Sequence, residues 1–216
     1  MIITIDGPAG AGKSSISKAL AEKLGLTYLD SGAMYRALAL YMLEKGVDIN
    51  DEAQVNKHLK EVKIDFDNGS VRLDSTDVSH LIRTPEIDAA SSAVSRFKAV
   101  RQRLTELQKK IGEKGGVVAE GRDMGTVVFP EADFKFFLTA SPEERARRRM
   151  AQLERKNKNI IKHEIILHQI KNRDKADTMR EIAPLRPAND AIIIDSTNLT
   201  FDEVLNKILN IIKEKG

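Results

Sequence analysis

Eight residues near the N-terminus, Gly7-Pro8-Ala9-Gly10-Ala11-Gly12-Lys13-Ser14, match G-x-x-x-x-G-K-[ST] at every constrained position. Glycines there let backbone N–H groups turn inward around phosphate oxygens, and a helix opening at Lys13 adds partial positive charge. Lys13 can span the β- and γ-phosphates, while the Ser14 hydroxyl can ligate Mg2+. Residues 7–14, with Ser15 beside them, are therefore the candidate triphosphate site. An apolar run at 2–5 precedes the pattern and a helical pattern follows it, which separates a phosphate loop from a bare glycine-rich turn.

Three further clusters suit an acceptor that is itself phosphorylated. Asp30-Ser31-Gly32-Ala33-Met34-Tyr35-Arg36 runs from a strand into a helix, and Gly121-Arg122-Asp123-Met124-Gly125-Thr126 follows another strand. Arg173, Asp177 and Arg180 share one face at helical spacing, a pattern that by itself also suits a solvated surface. Glu120 ends a strand where a carboxylate can join a Mg2+ shell through water or serve a structural role. Charge is uneven: residues 145–180 hold twelve Lys/Arg against four Asp/Glu, so the excess positive charge sits in one segment. Those 36 positions contain no aromatic residue to stack on a base, which favours small phosphates over nucleic acid.

The elements that must hold these groups alternate along the chain. Apolar runs at 2–5, 27–29, 116–119, 134–138 and 191–194 read as buried strands. Helical patterns cover 13–24, 32–44, 95–110, 142–155, 162–171 and 201–214. Such alternation predicts an α/β fold, with ligands beyond the carboxyl ends of the strands. Residues 62–66 and 71–74 instead alternate around Asp67-Asn68-Gly69-Ser70 and predict an antiparallel hairpin. The organisation expected is one domain over 1–216: core 1–36, 91–147 and 181–216, an insertion at about 37–90, and a lid with the basic segment at about 148–180.

Composition removes several other chemistries. With no cysteine there is no disulfide scaffold, thiolate metal site or cysteine nucleophile. Of the four histidines, His163 and His168 are five apart, off the spacing that shares a helix face. The short apolar run at the N-terminus resembles neither a signal peptide nor a membrane span, so a cytoplasmic protein is expected. No long apolar seam calls for a second subunit, and a monomer is expected. No second nucleotide module and no Asn-Lys-x-Asp signature is present, which favours a transferase over a motor or a switch.

Taken together, the phosphate loop, D-S-G-A-M-Y-R, G-R-D-M-G-T-V-V-F-P and the A-P-L around Pro184 resemble the bacterial-type cytidylate kinases, nucleoside monophosphate kinases of the P-loop NTPase class. The resemblance spans essentially the whole chain. It implies a three-layer fold with a central, mostly parallel five-stranded sheet, a small antiparallel insertion and a mobile helical lid. It also implies Mg2+-assisted transfer of a phosphoryl group from ATP to CMP and dCMP. Arg36, Arg122 and Arg180 would grip the acceptor phosphate, and Ser92, Arg101 and Asp123 would face the cytosine, with Ser91 an alternative to Ser92. Arg173 and Asp177 would address the ribose, beside Ser31 and Tyr35. Arg145, Arg148 and Arg149 would close over the phosphates as part of a lid at about 148–162. A kinase for UMP, dTMP, AMP or shikimate is the rival reading, and an ATP-dependent nucleic-acid-binding module is a distant one.

Overall fold

The computed structural model describes residues 1–67, 69–155 and 162–215. From the N-terminus, β1 (Ile2–Asp6) leads through the glycine-rich loop into α1 (Lys13–Leu24), then β2 (Thr27–Asp30) and α2 (Ser31–Glu44). Next come α3 (Glu52–Leu59), the strands β3 (Ile64–Asp67), β4 (Ser70–Leu73) and β5 (Thr76–Asp77), and α4 (Pro85–Val94). The chain returns through α5 (Lys98–Gly112) to β6 (Val117–Gly121), a single π-helical turn (Met124–Val128) and β7 (Phe134–Thr139). It ends with α6 (Pro142–Arg155), α7 (His163–Thr178), β8 (Ile192–Asp195) and α8 (Phe201–Lys215).

Five strands form the central sheet in the order β2-β6-β1-β7-β8, and every pairing in it is parallel. The sheet expected to be mostly parallel is thus wholly so, and the antiparallel pairings lie in the separate sheet β3-β4-β5. β6, between β1 and β2, is buried at all five residues, as its continuous apolar run requires. One apolar core, with Leu38, Val55, Ile82, Leu104 and Met124, runs from the 37–90 segment to one face of the sheet. A second, with Ile5, Leu20, Phe136 and Ile208, fills the other face under α1 and α8. Both leave the carboxyl ends of the strands to polar residues.

Several helix boundaries differ from the sequence reading for local reasons. The helical patterns of the sequence omit α3 and α4, although each carries a cap: Asp51 accepts from the N–H groups of Ala53 and Gln54, and Thr84 from that of Ile87 ahead of a Pro85 start. Helix α5 begins at Lys98 rather than 95, because Ser95 still closes α4. At the basic segment, α7 runs on to Thr178, seven residues beyond the expected end, and Arg180 falls past it. Within the hairpin turn Asn68 lies outside the described residues, as do residues 156–161 of the expected lid.

Candidate active site

The phosphate loop joins the end of β1 to the start of α1. Gly7, at φ +148°, sits so close to β7 that a Cβ there would fall 1.9 Å from the carbonyl oxygen of Leu138. Gly12, at φ +95°, is the N-cap of α1, and no side chain caps the first-turn amides, which leaves them for an anion. Lys13 is buried, and its Nζ donates to the carbonyl of Pro8 at 2.8 Å. Burial, then the Arg122 charge, pushes its ammonium down to about 7. Ser14 and Ser15 are exposed at the mouth of the loop.

Beside the loop stands Glu120, buried at the end of β6. Its Oε1 accepts from the Tyr28 hydroxyl at 2.5 Å, and the carboxylate also hydrogen-bonds Ser14. Burial and the nearby Asp30 charge raise its pKa above the usual carboxylate range. This pairing of a hydroxyl with a carboxylate fits Mg2+, a hard cation that takes oxygen ligands and keeps several waters. Among the described residues no group of three or more His, Asp or Glu forms an all-protein cage. An ion there would therefore be held chiefly by the phosphates it accompanies, with Ser14 and Glu120 in support.

Across the cleft, arginines converge from four segments. Asp30 caps α2 by accepting from the N–H of Ala33, and the same carboxylate takes Arg36 at 3.2 Å and Arg83 at 2.7 Å. Arg122 donates through Nε to Asp177 at 2.9 Å, and Arg180 lies 3.8 Å from the other oxygen of Asp177. Burial, then the Arg122 charge beside it, lowers the pKa of Arg173. For Arg36 and Arg180, too, burial lowers the pKa. The Nε atoms of Arg36 and Arg173 are buried without a hydrogen-bond partner among the described residues. Buried cations that depress one another and leave donors unused make a site suited to an anion.

The other expected acceptor residues occupy neighbouring positions. Arg101 and Asp123, each 6% exposed, pair at 2.5 Å, and Arg101 also donates to the carbonyl of Ser95 and lies over the Tyr35 ring. Ser92 is half-buried on α4, whereas Ser91 is buried with its hydroxyl spent on the carbonyl of Asp88. The Ser31 hydroxyl donates to the carbonyl of Glu120 at 2.6 Å, joining β6 to α2. Asp177 sits one turn beyond Arg173 on α7, and Arg180, past the helix end, donates to the carbonyls of Ile182 and Ala183.

The three α6 arginines expected to close over the phosphates diverge. Arg145 is 3% exposed and donates to the carbonyls of Ala9 and Ala140 and to both oxygens of Asp174. Arg148 donates to Ser196, through Nη2 to its carbonyl and Nη1 to its hydroxyl, and pairs with Glu144. Arg149 points toward Asp88 of α4, 3.7 Å away.

Some site residues escaped the sequence reading. Asp6, the last residue of β1, accepts from the N–H groups of Met124 at 2.9 Å and Gly125 at 2.8 Å. Its carboxylate thereby fixes the turn that carries Arg122 and Asp123. The signal available was an acidic residue ending an otherwise apolar strand, directly before Gly7. Arg83 belongs to this group as well, hidden in a segment read only as an insertion.

A phosphate loop at the end of the central strand of an all-parallel sheet, beside a cluster of buried arginines, defines a P-loop phosphotransferase. The family model for cytidylate kinase matches residues 3–214. A cytidylate kinase of Carboxydothermus hydrogenoformans is 49% identical over 220 residues, covering 100% of this chain and 99% of the relative. That of Bacillus licheniformis is 46% identical, covering 100% and 97%. An uncharacterised protein of Eubacterium ventriosum shares the fold at a TM-score of 0.53 and 14% identity, covering 99% of this chain and 98% of its own. The chain belongs to the cytidylate kinase family.

Proposed function

We propose that this protein transfers the γ-phosphoryl group of ATP to CMP and dCMP, yielding ADP and the nucleoside diphosphate. The observation that carries this reading is the facing of two anion sites: uncapped amides with Lys13 on one side, and arginines with unused Nε donors on the other. ATP would lie in residues 7–15, with Arg145 and Arg148 flanking the loop. Arg36, Arg122 and Arg180 would hold the acceptor phosphate, and Arg173 and Asp177 the ribose, against a wall of Ser31 and Tyr35. Mg2+ bound with ATP would supply further charge neutralisation near Ser14 and Glu120.

The acceptor oxygen of a monophosphate is already anionic near neutral pH, so no general base is needed. Catalysis then rests on in-line positioning of two anionic reactants and on neutralising the phosphoryl group in transit. Lys13 and Arg122 would carry that charge, joined by Arg148 and Arg149 on closure of the lid expected at about 148–162, which would exclude water. Cytosine presents an N4 amine beside N3 and O2 acceptors. Asp123 would accept from the amine with the oxygen that Arg101 leaves, while Arg101 and Ser92 donate to the acceptor edge. Uracil turns an oxygen toward that carboxylate and is repelled.

Among the described residues no helix is long and apolar enough to cross a membrane. A monomeric, cytoplasmic enzyme is the accompanying expectation. The test is ADP formation from ATP and Mg2+ with CMP, dCMP, UMP, AMP, dTMP and shikimate supplied separately. Turnover with CMP and dCMP well above UMP supports the proposal, and turnover confined to another acceptor overturns the base-reading roles.

A further inference from the structure

Helix α7 carries Arg173 and Asp177, yet it is weakly anchored to the rest of the fold. Its buried apolar residues, Ile166 and Ile170, pack with Ala146 of α6 in a small cluster separate from both faces of the sheet. Two carboxylates three residues apart, hence on one face, tie the helix to the body of the molecule. Asp177 binds Arg122 on the acceptor side. Asp174 binds Arg145 on the donor side, with oxygens 3.0 and 2.6 Å from Nη1 and Nη2.

Arg145 is also part of the floor of the phosphate loop. Its Nη1 donates to the carbonyl of Ala9 at 3.1 Å, and a Cβ on Gly10 would fall 3.2 Å from its own Cβ. Its Nε is fixed by the carbonyl of Ala140. A buried, planar fork bound on several sides cannot move without moving its partners. An unbroken series of contacts therefore runs from the loop backbone through Arg145 to Asp174, whose chain neighbour is Arg173.

We propose that Asp174 is a positioning residue that ties the acceptor face of α7 to the donor loop through Arg145, so that a nucleoside triphosphate in the loop tightens the hold on the nucleoside monophosphate. The coupling is reciprocal: the monophosphate tightens the triphosphate by the same factor. This inference rests on the two-nucleotide reading above.

Isothermal titration of CMP into the empty protein, and into protein saturated with Mg2+ and a non-hydrolysable ATP analogue, measures the coupling. The wild type should bind CMP about fivefold or more tightly with the analogue present. Asp174→Asn, which keeps shape and loses charge, should bind CMP alone within about twofold of wild type and lose most of that gain. Arg145→Lys keeps the charge without the fork and should lose the gain as well; it decides the matter should Asp174→Asn fail to fold. A full gain in the variants, an equal loss of CMP affinity with and without the analogue, or no gain in the wild type overturns the proposal. A wild type that binds neither nucleotide overturns instead the reading on which it rests.

Discussion

Asp123 and Arg101 form a buried pair where the proposal puts base reading, so a substitution there should behave differently from one at the phosphates. Asp123→Ala is expected to erode discrimination between CMP and UMP more than overall turnover, and equal losses in kcat/KM for both acceptors would refute the assignment. Lys13→Ala should instead remove several kcal/mol of transition-state stabilisation, about the worth of one or more preorganised charges, for every acceptor alike. Asp6 gives a pH-dependent test. Burial raises its pKa from 3.8 to about 6, against the opposing amides of Gly125 and Met124, with the Asp123 charge adding to the rise and Lys13 opposing it. A raised acid holds its proton more firmly in the folded state, so its contribution is most favourable below pH 4 and declines as pH rises to 6. Each tenfold gain in proton affinity on folding is about 1.4 kcal/mol, so the wild type should lose roughly 3 kcal/mol relative to Asp6→Asn across that window. Urea unfolding of both proteins from pH 4 to 7 measures it, and parallel profiles would refute the raised pKa. Asp177 has the opposite sign: burial resists, but Arg122 and then Arg173 and Arg180 outweigh it, so its contribution fades only as pH falls below 3.8.

Whether an element was legible in the sequence followed from how locally its cause was written. The sheet strands are continuous apolar runs bounded by polar turns, and the phosphate loop is a contiguous pattern, so both could be read from neighbours alone. Helix α4 was not, because its buried face is made of Ile87, Ala90, Ser91 and Val94, and the small residues mute the periodicity. Its start was nevertheless written in Thr84-Pro85, and Thr84→Ala should destabilise the protein by about 1 kcal/mol in a thermal or urea melt. The helical spacing at 173–180 puts Arg173, Asp177 and Arg180 on one face, but the helix ends at Thr178, with no glycine or proline to mark it, and Arg180 lies beyond it, 3.8 Å from Asp177. Pairings across long stretches of chain were out of reach for a different reason. Asp6 meets Met124 118 residues away, and Arg145 meets Asp174 29 residues away, and only the folded arrangement of sheet and helices brings either pair together.

On the scale of the whole molecule, the α6–α7 arm has its own apolar cluster outside the two cores that flank the sheet. Ile170→Ala, a loss of about 2–4 kcal/mol where it packs, should therefore raise the hydrogen exchange of α7 amides while leaving the global melting transition nearly unmoved. A matching drop in the global transition would show the arm to be part of the main cooperative unit. The proposed acceptor pocket has a different large-scale consequence. Its arginines rest against carboxylates: Arg36 on Asp30, Arg122 and Arg180 on Asp177. An incoming ligand must therefore compete with anions already in place, and a phosphate bearing two charges does so far better than one bearing a single charge. Because a phosphate monoester loses its second proton near pH 6, a pocket that holds the acceptor phosphate in this way would discriminate among ionisation states of one and the same molecule. Cytidine, with no charge to offer, and cytidine phosphodiesters, with a single one, would be turned away by the same arginines that welcome the monoester dianion.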